Sequence, residues 1–366
     1  MDHRRGTTTT RGGTLDDLEH LFTGERELLT VWANRPGPTP NEVSTRVRAE
    51  VSAAPGQWAD TRDELAEAMT DCLTQAEAAV VVVAENVTFA EPLSDPLPTE
   101  ARFTGFLPAI SPVIANRQRN VPAVVVRLDR RGADLFWTGD DTANAMTVEG
   151  RDHFITKVSA GGWSQASYHR FAENAWERTA TDTAQELEQI VTAIGARLVL
   201  LAADVRMAEL LRGQVSPGVA AMLRDVAGAR TEDGSDDHRD VEVDRWLRTA
   251  VAEDTVATLQ AFDERIDLPD PLAVTGAHDT LAALRSAQVE TLLVHDGGED
   301  EPLGSFHPDD PTDIGHIEGG PSAASRTARR CDIAIRAALG TGATVKVVPR
   351  GRRLDDGLGA LLRWAT

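Results

Sequence analysis

The residues best suited to chemistry lie between Ile155 and Phe171, where Gly161 and Gly162 interrupt a basic, aromatic stretch just ahead of a long helical pattern. A Gly-Gly pair reaches backbone angles that other residues avoid, and the Gln165 amide offers donors and acceptors without charge. The pattern predicts a mobile tip, Gly161-Gly162-Trp163-Ser164-Gln165, on a rigid stalk, a shape suited to entering a crowded polar cavity. Lys157, His169 and Arg170 flank it, and Trp163, Tyr168 and Phe171 supply flat faces that can stack on unpaired bases. Together they point to contact with folded or single-stranded RNA. The plainer alternative makes Gly161-Gly162 a turn and Trp163 a core anchor.

Other chemistries fit less well. Gly162-Trp-Ser-Gln-Ala166 approaches the G-x-S-x-G nucleophile elbow, with Ser164 in the nucleophile's place. Its last small residue is Ala, no series of βα repeats precedes it, and His278, His295, His307 and His316 occupy ordinary helix, strand or loop settings. The nine histidines show neither H-x3-H nor H-E-x-x-H spacing, and Asp233 to Asp240 lacks the alternation of a calcium loop. Gly340-Thr-Gly-Ala has no following Lys and reads as a helix-to-strand turn. No metal and no cofactor are expected. No catalytic residue is assigned, Gln165 being the candidate if the chain hydrolyses an ester.

The elements that must position this segment belong to a chain of 366 residues with a formal charge of −21. That balance argues against a general DNA-binding or membrane-coating protein. Lys occurs only at 157 and 346, so most cations are forked guanidinium groups suited to phosphate. Three long windows holding cations lack Asp and Glu: 101–128 with Arg102, Arg117, Arg119 and Arg127; 153–172; and 333–354 with Arg336, Lys346, Arg350, Arg352 and Arg353. Strands and proline loops are poor in acids anyway, which explains the first and third equally well. Arg117 and Arg119 are nevertheless candidate RNA contacts near a joint between domains. Cys72 and Cys331 lie far apart, fitting a reducing compartment. Met1 to Thr10 has no apolar run behind its basic residues, so no secretory signal and a cytoplasmic location are expected.

Residues 1–13 read as a disordered tail. Residues 14–119 read as an N-terminal α/β domain: a short helix over Leu15 to Phe22, a strand over Leu28 to Ala33, helix over 40–77 with a break near Pro55 and Gly56, and a buried strand over Ala78 to Ala84. The proline-rich stretch 92–122 reads as connection and loop. A middle domain, 120–267, opens with a hairpin, Ala123 to Leu128 and Ala133 to Thr138 around Asp129-Arg-Arg-Gly132. It continues through the tip, a helix from Tyr168 to Ile194 with Leu187, Ile190, Val191 and Ile194 as its buried stripe and Trp176 as a packing residue, a strand over Arg197 to Ala203, a helix over 204–213, an acidic loop and a helix over 241–264. Residues 268–366 form a C-terminal α/β sandwich: helix at Ala277 to Ser286, strand at Val289 to His295, loop over 296–320, helix at Ala323 to Leu339, strand at Thr344 to Pro349, and a closing segment at Leu358 to Trp364. The fold class is mixed α/β (α+β).

The order of these units, the Gly-Gly and Gln tip before a long helix, and the ending Arg353-Leu-Asp-Asp-Gly-Leu-Gly-Ala-Leu-Leu-Arg-Trp364 resemble the archaeo-eukaryotic peptide release factor and Pelota superfamily. The Gly-Gly-Trp-Ser-Gln form resembles its bacterial branch of Balon-like ribosome hibernation factors and their actinobacterial relatives. The resemblance covers most of residues 120–366. It implies a three-domain, release-factor-like architecture, with the N-terminal domain towards the decoding centre and the middle domain reaching the peptidyl-transferase centre. The C-terminal domain would dock a translational GTPase, elongation factor Tu in hibernation factors. It implies a ribosomal A-site partner, with rRNA of both subunits. The superfamily's release factors carry an uninterrupted Gly-Gly-Gln that helps to position a water against the peptidyl-tRNA ester. Here Trp163 and Ser164 intervene, and a misplacement of about 1 Å can cost about 100-fold in rate. Occupancy of the site under stress is therefore the expectation, with peptidyl-tRNA hydrolysis or ribosome rescue through Gln165 as the alternative.

Overall fold

A computed structural model describes residues 15–52, 56–139, 142–149, 162–226, 236–295, 298–315, 325–349 and 354–365; the side chains of Asp16, 138–143, 162–173, 236–240 and Glu299 lie outside that description. The fold is mixed α/β with several sheets. The chain separates into two compact units. One holds Arg119–Asp254, and the other joins Thr14–Gln118 to Thr255–Thr366.

In the N-terminal segment a 3-10 turn over Asp16–Phe22 precedes β1 (Leu28–Asn34), α1 (Pro40–Val51), α2 (Arg62–Gln75), β2 (Ala78–Val83), β3 (Val87–Leu93), β4 (Ala101–Gly105) and α3 (Ser111–Arg117). The sheet is antiparallel with order β3-β2-β1-β4. Its run of four valines shows no polar alternation because both faces are buried: Leu29, Val31, Val81 and Val83 face α1 and α2, while Trp32, Val80 and Val82 enter a second core. Thr39 and Glu42 close a capping box at the start of α1, with Pro40 in its first turn.

The loop expected over 92–122 is instead partly ordered as the end of β3, β4 and α3. Pro92 is tolerated because β3 is an edge strand, and Pro112 because a helix's first turn needs no N–H there.

The middle unit contains β5 (Ala123–Asp129), β6 (Gly132–Gly139), β7 (Thr142–Glu149), α4 (Gly162–Ile194), β8 (Leu198–Ala203), α5 (Val205–Gln214), α6 (Pro217–Met222), β9 (Leu223–Asp225) and the greater part of α7 (Asp236–Ile266). Its sheet order is β7-β6-β5-β8-β9, with β5, β8 and β9 parallel and the β5-β6-β7 meander antiparallel. The hairpin is as expected, and the Asp129 carboxylate shapes its turn by accepting from the N–H groups of Arg131 (2.7 Å) and Gly132 (3.0 Å). Val124, Val126, Leu135, Val199 and Leu201 pack with residues of α4 and α5. Ala123, Leu198, Leu200 and Ala202 form another core with Val243, Trp246, Leu247, Ala250 and Val251 of α7.

The last segment contributes β10 (Ala273–Thr275), α8 (Ala277–Arg285), β11 (Val289–Val294), β12 (Leu303–His307), β13 (Asp310–Gly315), β14 (Arg326–Arg329), α9 (Arg330–Gly340), β15 (Thr344–Val347) and β16 (Leu358–Leu362). Its sheets run β10-β16-β11-β15 and β13-β12-β14. Two expectations are corrected here. The loop over 296–320 holds β12 and β13, and the helix expected from Ala323 begins at Arg330, because 326–329 pair with β12 as β14. Trp32, Val80 and Ile114 share one continuous core with Leu281, Leu292, Ile333 and Ala360. The segments read as N-terminal and C-terminal domains therefore fold around a common interior. Gln118 stitches them further, donating to the Val347 carbonyl (3.2 Å) and accepting from its N–H (2.6 Å).

Candidate functional site

The tip segment is placed by α4. This helix begins at Gly162, six residues ahead of the expected Tyr168, so Gly162, Trp163, Ser164 and Gln165 are its first residues and not a free loop. Gly162 and Gln165 thereby stand three residues apart along a helix, which brings them to one side. Lys157 and Gly161 lie outside the described residues, as do the side chains of Trp163, Ser164, Gln165, His169 and Arg170. Helical backbone at Ser164 also removes the nucleophile-elbow reading, which needs the serine on the turn between a strand and a helix.

The rest of α4 is well anchored. Thr183, Ala184, Leu187, Ile190 and Val191 are buried at the helical spacing read from the sequence. The helix ends at Gly195, whose φ of 60° allows Ala196 N–H to reach back to the Val191 carbonyl (2.9 Å). The Glu188 carboxylate accepts from Ser216 N–H (2.6 Å). Towards the other end, Trp176 packs against the core as a half-buried side chain, and the Arg130 guanidinium lies over its ring at 4.4 Å. Arg130 also approaches Asp204 (Nε to Oδ2, 3.6 Å), the residue that caps α5 through Met207 N–H. The sequence marked Trp176 as packing only and gave no signal for Arg130, a residue in the hairpin turn.

The two arginines proposed near the domain joint are placed differently. Arg117 is an internal residue. It bonds to Asp17 (2.7 and 3.0 Å) and to Glu91 (2.7, 3.0 and 3.3 Å), with 10% of its side chain exposed. Burial alone would lower its pKa, and the two carboxylates more than reverse this. Its assignment as an RNA contact is corrected: a guanidinium shared by two carboxylates has no face left for phosphate. Arg119 is exposed. Other cations of the acid-free windows also serve the fold. Arg102 donates to the Glu50 carbonyl, Arg127 covers the Phe136 ring at 4.8 Å, and Lys346 donates to Thr258 (3.2 Å). Arg336 donates to the carbonyls of Phe22 (2.9 Å), His307 (3.1 Å), Asp310 (3.2 Å) and Pro308, and burial lowers its pKa. Arg350, Arg352 and Arg353 lie outside the described residues.

Among the described residues no cluster of His, Cys, Asp or Glu is arranged to hold a metal ion, and no helix is long and apolar enough to cross a membrane. Over 312 residues, 83% of each chain, the protein is 26% identical to an uncharacterized protein of Mycobacterium tuberculosis strain ATCC 25618 / H37Rv. Among solved structures it is similar to archaeal Pelota in a ribosome-bound assembly with ABCE1, at 12% identity over 99% of both chains with a TM-score of 0.41. It is also similar to Dom34 of S. cerevisiae, a translation termination-like factor, at 11% identity over 79% of this chain and 80% of that one with a TM-score of 0.41. Residues 122–267, which span the hairpin, the tip, α4 and α7, are similar to the bacterial archaeo-eukaryotic release factor family 2, whose family model they match.

Proposed function

We propose that this protein is a ribosome-binding translation factor that occupies the A site, extends the Gly161–Gln165 segment towards the peptidyl-transferase centre and restrains translation under stress. The observation that carries the reading is the release-factor family match over 122–267, within which Gly162 and Gln165 open the anchored helix α4. Lys157, His169 and Arg170 hold rRNA phosphates, Trp163 and Ser164 fill the space around the tip, and Arg119 is a further RNA contact. Residues 268–366 engage elongation factor Tu. The action is steric. Two residues inserted between the glycines and Gln165, set in helical backbone, favour plugging over ester hydrolysis, which depends on sub-ångström placement of water.

Co-sedimentation with 70S ribosomes at a stated physiological salt concentration tests the reading. Binding is expected to a vacant A site and to be lost when tRNA fills it. Deletion of 161–165 is expected to weaken binding; equal binding by the deletion and the wild type would reject the tip's role. Gln165→Ala is expected to leave peptidyl-tRNA hydrolysis unchanged. Peptide release that disappears in this variant would establish the rescue-enzyme alternative instead.

A further inference from the structure

We propose that Trp176 and Arg130 are positioning residues that aim the tip. The inference rests on the tip being the working part of the middle unit, but it concerns the direction of a helix and is measurable without ribosomes.

α4 runs from Gly162 to Ile194, and its fully buried stripe extends from Thr179 to Val191. Trp176 is the α4 side chain nearest the tip that joins the core among the described residues. Between Trp176 and Gly162 the helix rises roughly 21 Å, at about 1.5 Å per residue. It therefore acts as a lever: each 10° of freedom in its direction at Trp176 displaces Gly162 by roughly 4 Å and Ala166 by roughly 3 Å. Errors of that size matter for an element that must fit a confined site.

Two elements converge on this point of α4. The hairpin turn between β5 and β6 supplies Arg130, whose guanidinium lies 4.4 Å from the centre of the Trp176 ring. The turn is itself held by Asp129, which accepts from two backbone N–H groups. The start of α5 supplies Asp204, 3.6 Å from the Arg130 Nε, and Asp204 is fixed in turn by its bond from Met207 N–H. A planar cation between an indole face and a carboxylate restrains both the sideways and the rotational freedom of the ring, as a lysine's point charge would not. The apolar stripe from Thr179 onwards determines that α4 packs on the sheet; this clamp determines where its free end points.

The experiment uses the full chain with cysteines placed at Ala166 and at Glu209, an exposed residue of α5 in the same unit. The native thiols, Cys72 and Cys331, are both buried and leave the engineered sites to be labelled. Distance distributions between spin labels are compared for wild type, Arg130→Ala, Arg130→Lys and Trp176→Leu. Circular dichroism confirms the helical content of each, and ribosome co-sedimentation uses the unlabelled proteins. Arg130→Ala and Trp176→Leu are expected to broaden or shift the distribution by about 3 Å, and Arg130→Lys by less. Unchanged distributions in both folded Arg130→Ala and folded Trp176→Leu overturn the proposal, whatever happens to ribosome binding. If Trp176→Leu fails to fold, the Arg130 variants decide alone. Broadened distributions with undiminished ribosome binding uphold the fulcrum and count against the function proposed for the tip.

Discussion

Replacing Arg117 by alanine separates a structural cation from an RNA-binding one. The side chain lies between Asp17 and Glu91, and the three side chains are 10%, 25% and 16% exposed. Removing the guanidinium leaves two carboxylates facing each other, partly withdrawn from water and without the cation that joined them. Breaking a buried ion pair from one side costs about 3–5 kcal/mol. Asp17 keeps some access to solvent, which moves the expected loss to the lower end, about 3 kcal/mol. An exposed arginine holding phosphate would change stability by no more than about 0.5 kcal/mol when removed. Urea unfolding of the full chain, followed by tryptophan fluorescence, distinguishes the two. Because the folded pKa of Arg117 is raised, its contribution is present throughout the accessible pH range. Arg117→Lys should recover part of the loss, and adding Asp17→Asn to Arg117→Ala should recover part by removing one stranded charge. A folded Arg117→Ala protein that loses less than about 1 kcal/mol and binds ribosomes more weakly would refute the structural account and restore Arg117 to the RNA-binding surface.

Arg336→Met should cost about 2–4 kcal/mol in the same unfolding assay, since it orphans the carbonyls of Phe22, His307, Pro308 and Asp310. Gly359→Ala would place a Cβ 2.5 Å from Leu354 Cδ2 and 3.1 Å from Phe262 Cε2, and should lower stability by about 1–3 kcal/mol. Gly218→Ala, whose Cβ meets nothing within 4 Å, is its control and should be neutral or slightly stabilising in thermal unfolding. Burial, reinforced by the charges of Asp71 and Glu91, pushes the Cys72 thiol up to about 11. Native protein should therefore resist alkylation at pH 8, with reaction only on unfolding. The sign for stability follows: the unfolded chain releases the thiol proton first, so stability should fall as pH rises from about 9 towards 11 and be insensitive to this group below that range. Cys72→Ala should abolish that component, measured as the slope of stability against pH.

Local pattern was sufficient where burial and spacing agree. The valine run at Val80 to Val83 announced a buried strand, Asp129 to Gly132 a hairpin turn, and Leu187, Ile190 and Val191 the inner stripe of α4, with Ile194 partly buried beside them. The order of the units, the Gly-Gly and Gln tip and the ending Arg353 to Trp364 carried the resemblance to release factors, and the matched residues 122–267 include the tip. The short strands β4, β12, β13 and β14 were illegible because polar residues, Gly and Pro interrupt them; β4 pairs with the distant β1, β14 pairs back to β12, and β12 and β13 form a hairpin inside a stretch rich in Asp, Gly and Pro, so ladder bonds, not propensity, make them strands.

Tertiary structure alone decided which charges are internal. Arg117 lies in an acid-free window of sequence, yet chain folding brings it Asp17 from 100 residues away and Glu91 from 26. Coulombic pairing depends on distance in space, and a linear count of neighbouring acids cannot see it. In the same way Trp176 read as core from its helical context, while the cation above it arrives from a turn 46 positions earlier. The sequence determined the helices, the central strands and the chemical character of the tip, because these depend on near neighbours. The shared interior of the first and last segments, the internal role of Arg117 and the packing of Arg130 on Trp176 depended on contacts between residues that only the folded chain brings together.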